Sequence, residues 1–208
     1  MKILARLTFS DECIALLIVT LISANAFAAP RGDARTANAL GPASAPVTIE
    51  FFSDLQCPQC ARYEPMVKSL KNEFGDKVRL ILRHFPLSSH ENAAFASCAA
   101  EAAANQHKFW EMAEALYKTQ WMWGTAPVPR AIFVDQAKQL GLDLDEFQKD
   151  LDSPECRARV GADAVYAGSI GVKAAPSVVI NGYNIPNSEF GENGFRAAIK
   201  AALAKTGQ

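Results

Sequence analysis

Ile49-Glu50-Phe51-Phe52-Ser53-Asp54-Leu55-Gln56-Cys57-Pro58-Gln59-Cys60 is the stretch whose reading decides the fold. It belongs to a run of β-branched and aromatic residues, Val47 to Phe52, that reads as a strand broken at once by a turn. Pro58 suits the first position of a helix, and Tyr63, Met66, Val67, Leu70 and Phe74 then fall on one helical side, so a helix is expected from Pro58 to Phe74. Val78-Arg79-Leu80-Ile81-Leu82 is nearly continuous in apolar residues, as in a strand buried on both faces. Strand, helix and strand within about 35 residues make a βαβ unit with a parallel pair. Both cysteines stand where strand turns into helix. There the helix dipole and unpaired backbone N–H groups stabilise a thiolate and bring a cysteine pKa down to about 3.5–7.5. The two-residue spacing lets the second sulfur attack a mixed disulfide made by the first. Cys57, at the exposed end, is the expected nucleophile, and Cys60, one turn in, the expected resolving thiol.

Beyond this unit the texture changes. Residues 88–171 are Ala-rich and helical in period. Ser88-Ser89-His90-Glu91 reads as a capping box opening a helix with Phe95, Cys98 and Ala102 on one face. A second helix carries Phe109, Met112, Ala113, Leu116 and Tyr117; a third opens near Pro129 and closes at Gly141; Leu144, Phe147 and Leu151 mark a fourth. Ser153-Pro154 caps a fifth, which carries Cys156 and Val160 and runs to about Ile170. Strands return with Val178-Val179-Ile180 and Tyr183-Asn184-Ile185, joined by Asn181-Gly182, a pair that accommodates the positive φ angles of a type I′ turn. An amphipathic helix from about Ser188 to Ala204 closes the chain. The order βαβ, helical block, ββα defines an α/β fold with an insertion.

Residues 1–28 read as a signal peptide. Lys2 and Arg6 precede an apolar core from Ile14 to Ile22, and Ala26-Phe27-Ala28 offers a cleavage site; a core of nine residues falls short of the about 20 that span a bilayer. Asp11 and Glu12 fit that reading poorly, which keeps an uncleaved anchor open, and Cys13 leaves with the peptide if it is removed. Export to a periplasm or the exterior places the remaining cysteines where disulfides persist. Residues 29–46, rich in Ala, Gly and Pro, read as a tether into the domain. With 21 Lys+Arg against 22 Asp+Glu, no basic excess exists to neutralise phosphates, so nucleic acid is not an expected partner.

Zinc binding, a structural disulfide and copper delivery are the other roles open to Cys57-Pro58-Gln59-Cys60. Half of a zinc site lacks a second CxxC or a matching His pair, so no metal is expected. A purely structural disulfide across four residues holds little loop entropy. A copper-delivery module would use the pair as a soft-metal site, but the Met/His-rich stretches of exported copper sites are missing.

With strand, turn and helix in place, the chain resembles the DsbA-like thiol:disulfide oxidoreductases of the thioredoxin superfamily from about residue 40 to 205. Beside the stretch from Ile49 to Cys60, His84-Phe85-Pro86-Leu87 and Lys108-Phe109-Trp110-Glu111-Met112 resemble later signatures of that family. Pro65 matches the proline that kinks its active-site helix. Ala175-Pro176 resembles the loop whose cis proline faces the CxxC and leaves neighbouring backbone free to pair with an extended substrate. The resemblance implies a thioredoxin-like domain in two parts, 47–87 and 172–208, around a helical insertion, 88–171. It implies donation of disulfides to cysteine-containing exported proteins, with a DsbB-like or VKOR-like membrane partner resetting the site, and no cofactor. Reduction or isomerisation by the same residues is the alternative; known isomerases of this type are usually dimeric through an added N-terminal domain, and a monomer is expected here.

In that family an acid at the position of Glu50 helps move the buried thiol's proton; the other reading is an exposed strand glutamate. The inner dipeptide departs from the family's strong oxidants, which have Pro-His where this chain has Pro58-Gln59, and Ala175 replaces the usual Val or Thr. His84, His90 and His107 read as structural or solvent-facing. Trp121, Met122 and Trp123 read as a loop packed on the helical block, with a peptide groove as the other possibility. Cys98 and Cys156, on the apolar faces of two helices in an exported protein, are expected to form a second, structural disulfide; two free buried thiols are the alternative.

Overall fold

The computed structural model describes residues 36–207; the expected signal peptide, Cys13 and residues 29–35 of the tether lie outside the described residues. Val47–Ser53 (β2) and Val78–His84 (β3) pair in parallel, Val47 opposite Val78 through Ser53 opposite His84, and Pro58–Phe74 (α1) makes the crossover with Pro65 inside it. Ser177–Ile180 (β4) runs antiparallel to β2 and pairs onward with Tyr183–Asn184 (β5). Asn181 (φ 46°) and Gly182 (φ 83°) take the two positive φ values that the tight turn between β4 and β5 requires. Glu192–Lys205 (α8) ends the chain, after a short 3-10 turn at Asn187–Glu189.

The tether expectation fails at its C-terminal end. Ala39–Leu40 (β1) pairs antiparallel with the outer edge of β3, and Asn38 Nδ2 donates to the Leu82 carbonyl at 3.1 Å, so the sheet runs β1-β3-β2-β4-β5. Backbone pairing with an open strand edge needs no particular side chains, which is why composition missed it.

Six helices lie between β3 and β4: Ala93–Asn105 (α2), Phe109–Lys118 (α3), Gln120–Trp123 (α4), Arg130–Gln139 (α5), Leu144–Leu151 (α6) and Pro154–Ser169 (α7). The side chains of Asp143 and Ser153 cap α6 and α7 by accepting from the Glu146 and Cys156 N–H groups. α2 is nearly all buried, and its alanines let α3, α6 and α7 approach closely. Cys98 of α2 and Cys156 of α7 are joined as a disulfide, with Cα atoms 5.5 Å apart. α2 starts at Ala93 rather than at the capping box of Ser88-Ser89-His90-Glu91. Asp54 explains the delay: its Oδ2 accepts from the Leu87 N–H (2.8 Å) and bonds His90 Nδ1 (2.7 Å), drawing that segment onto the turn before Cys57.

Both faces of the sheet are covered. Val47, Ile49 and Phe51 of β2, with Leu80, Leu82, Val178 and Ile180, pack under Val67 and Leu70 of α1 and Phe195 and Ile199 of α8. Phe52 and Val179 point the other way, onto Ala167, Val172 and Tyr166. Each large apolar side chain so buried stabilises the fold by about 1.5–3 kcal/mol.

Candidate active site

Cys57 is the N-cap residue of α1 (φ −76°, ψ 121°), and Pro58 follows at the first helical turn. Cys57 lies at the surface edge of the core but is only 6 % exposed, less open than the sequence suggests; Cys60 is fully buried. Both are unpaired thiols. The Cys60 thiol hydrogen-bonds Cys57 and lowers the Cys57 thiol from 9.0 to about 6; burial opposes this, the backbone N–H groups of Cys60 and Gln59 assist, and the Asp54 carboxylate works against it. Cys60 moves the opposite way. Its bond to Cys57 and its burial push it far above 9.0, with partial relief from the Ser53 hydroxyl and from the Asp54 N–H, which donates to Cys60 Sγ at 3.4 Å. Near neutral pH the turn therefore holds one thiolate and one thiol that donates to it.

Several residues that the sequence did not single out shape this turn. Asp54, fully buried, accepts from the Gln56 N–H at 2.7 Å while its other oxygen holds Leu87 and His90. An acid directly after a strand, bonding the backbone two residues on, is an Asx-turn signal visible in principle from sequence. Gln120 Nε2 donates to the carbonyls of Leu55 (2.7 Å) and Cys57 (3.1 Å), and Gln56 Nε2 donates to the Gly124 carbonyl (2.7 Å). These bonds pin α4 against the cysteine turn. Trp123 is buried and donates to the Leu116 carbonyl, whereas Trp121 is 81 % exposed and Met122 half-open beside it.

The expected site residues separate into two groups. The Ala175–Pro176 peptide bond is cis. Ser177 stands opposite Phe52, so Pro176 lies at the end of β2 that feeds Cys57, and Ala175 packs on the core cluster that contains both cysteines. Pro58 and Gln59 are exposed. Glu50 does not join them. It points from β2 to the face opposite Cys60, where Oε1 accepts from Arg83 Nε (2.9 Å) and Nη2 (2.7 Å) and Oε2 accepts from the Tyr166 hydroxyl (3.0 Å). Strand alternation assigns Phe51, not Glu50, to the cysteine side, so the expectation that Glu50 serves Cys60 does not fit this geometry. His84 is buried against Glu101 (3.1 Å) and His107 is exposed; His90 alone of the three reaches the turn, through Asp54.

Comparison with known proteins agrees with this architecture. A sequence profile of the thioredoxin family matches residues 33–201. The chain is 31% identical over 179 residues to a probable disulfide bond formation protein D of Bacillus cereus, covering 82% of this chain and 80% of that protein. It is 34% identical over 167 residues to the Na(+)/H(+) antiporter NhaA 1 of Salinispora arenicola, but covers 80% of this chain and spans 24% of that protein's length. A thioredoxin-like oxidoreductase of Silicibacter pomeroyi superposes with a TM-score of 0.67 at 28% identity, over 80% of this chain and 91% of the other.

Proposed function

The chain belongs to the thioredoxin family, and we propose that it is an exported dithiol–disulfide oxidoreductase that donates disulfides to secreted or periplasmic proteins through Cys57-Pro58-Gln59-Cys60. The observation that carries this reading is Cys57 at the N-cap of α1 with the buried Cys60 one turn in, and the cis Ala175–Pro176 bond at the end of β2 that feeds them; this arrangement draws the Cys57 thiol down and pushes the Cys60 thiol up. In the oxidised protein a substrate thiolate attacks Cys57 Sγ, the Cys57–Cys60 bond breaks and Cys60 leaves with the electron pair. A second substrate thiolate then attacks the mixed disulfide and releases Cys57. Two electrons pass to the protein, and a membrane redox partner of the DsbB-like or VKOR-like kind withdraws them. Cys60 resolves mixed disulfides that stall.

Pro176 and Ala175 border the site and hold extended substrate backbone, while Trp121 and Met122 offer apolar contact beside it. The protein works as a monomer, and the Cys98–Cys156 bridge is structural, keeping two further thiols out of the exchange. Reduction or isomerisation is the competing direction, favoured by the uncharged Gln59, which supplies no cation to the Cys57 thiolate. The test is mutational. Cys57→Ser abolishes disulfide donation to a reduced, unfolded substrate protein and Cys60→Ser accumulates mixed disulfides; unchanged donation by Cys57→Ser overturns the proposal.

A further inference from the structure

Cys60 must exchange a proton each time its sulfur enters or leaves a disulfide, yet it is fully buried and water does not reach it. Glu50, the acid in the nearest strand, lies across the sheet and is held by Arg83 and Tyr166. On the cysteine side of the sheet, Ser53 directly precedes Asp54, whose N–H donates to Cys60 Sγ at 3.4 Å, and the Ser53 hydroxyl acts on the same sulfur, drawing the Cys60 thiol down. Ser53 Oγ is in turn hydrogen-bonded to the Tyr117 hydroxyl, a pair in which either oxygen can donate. Tyr117 projects from α3 and lines a cavity of about 590 Å³ between α1 and α3. Glu64 of α1 borders the same cavity, is 4 % exposed, and its Oε1 lies 3.6 Å from Lys68 Nζ without a hydrogen-bond partner.

We infer that Ser53 and Tyr117 form a proton relay between Cys60 Sγ and the Glu64-lined cavity, with Ser53 as a catalytic residue touching the reacting sulfur and Tyr117 as a positioning residue acting through it. This deepens the exchange reading above and rests on it. When Cys60 attacks, the Cys60–Cys57 bond forms and the bond from Cys57 to the partner sulfur breaks, sending the electron pair out on that sulfur. The Cys60 proton passes to Ser53 Oγ, the Ser53 hydroxyl proton to Tyr117, and the Tyr117 proton to the carboxylate of Glu64 or to water in the cavity. When Cys60 is expelled as a thiolate, the same transfers run backwards. Burial raises Glu64 above its usual 4.5, which makes it a better proton acceptor than an exposed carboxylate. The charged or titratable groups around Tyr117 are Cys60 and Glu64 from α1 and Asp54 from the turn; Lys68, Glu114 and Lys118 share the cavity wall.

The experiment mixes the reduced full-length protein with oxidised glutathione and follows both steps by rapid acid quench and mass analysis. Step one joins glutathione to Cys57, and step two closes the Cys57–Cys60 bond. Tyr117→Phe, which keeps the ring, leaves step one at the wild-type rate and slows step two by about tenfold or more, in keeping with a lost acid–base group, with the pH profile of step two displaced upward. Ser53→Ala does the same. Independently of either variant, step two in the wild type slows in deuterium oxide more than step one. An unchanged rate and pH profile of step two in Tyr117→Phe, or equal isotope sensitivity of the two steps in the wild type, overturns the relay. A wild type that forms no Cys57–glutathione disulfide refutes instead the exchange reading beneath it.

Discussion

Cys60→Ala isolates what makes Cys57 a thiolate. The largest cause of the Cys57 shift is the hydrogen bond from the Cys60 thiol, and alanine removes it while leaving the backbone N–H groups of Gln59 and Cys60 in place. A hydrogen bond to a charged group contributes about 1.5–3 kcal/mol, and one pKa unit corresponds to about 1.4 kcal/mol, so the loss is about one to two units. Cys57 then moves from about 6 to about 7–8, not all the way back to 9.0. At pH 6 its thiolate fraction falls from about one half to between about one tenth and one hundredth. The assay is the rate of iodoacetamide alkylation of the reduced protein against pH, followed at Cys57 by peptide mass analysis. Cys60→Ser, whose hydroxyl still donates, falls between wild type and Cys60→Ala. A midpoint that stays put in Cys60→Ala, or a wild-type midpoint near 9, refutes the reasoning.

Three further outcomes are expected. Gln59→His makes the pair more oxidising, because an imidazolium near the helix start stabilises the reduced, thiolate form; a potential that holds or falls in glutathione buffers contradicts this. Glu50→Gln lowers stability by about 3 kcal/mol, since it breaks a buried ion pair with Arg83, while the rate of Cys60 attack per folded molecule is unchanged; a slowed attack with unchanged melting would return Glu50 to the site. Replacing Cys98 and Cys156 together by Ala costs about 4 kcal/mol in denaturant unfolding, from the loop that their bond closes, and a loss below about 1 kcal/mol would show that the bridge contributes little.

The elements that the sequence revealed are those whose cause is local. Pro58 after a cysteine at a strand end, Asn181-Gly182 between two apolar runs, and Ser153-Pro154 before a helix each specify backbone geometry within a few residues, and α1, the turn after β4 and α7 stand where they were expected. What escaped depends on partners far along the chain. Ser53 and Tyr117 are 64 residues apart, and Glu50 and Tyr166 are 116 apart. The role of Glu50 was hidden for another reason: Val47-Thr48-Ile49-Glu50-Phe51 alternates and sets the acid on the face away from Ile49 and Phe51, but only the packing of α1 shows that Cys60 lies on the Ile49 and Phe51 face. Ser88-Ser89-His90-Glu91 misled because a local capping pattern lost to Asp54, more than 30 residues earlier, which claims Leu87 and His90 for the active-site turn.

Equilibration of the Cys57–Cys60 pair in glutathione redox buffers, read by alkylation and mass analysis, tests the central claim most directly. A Cys57 thiol at about 6 lies between the values of about 7 in thioredoxin and about 3.5 in DsbA. The account therefore predicts a fully reversible two-electron equilibrium with a potential between about −270 and −120 mV. A pair that stays oxidised below about −300 mV, as structural disulfides do, or that never closes in oxidising buffer, would contradict it.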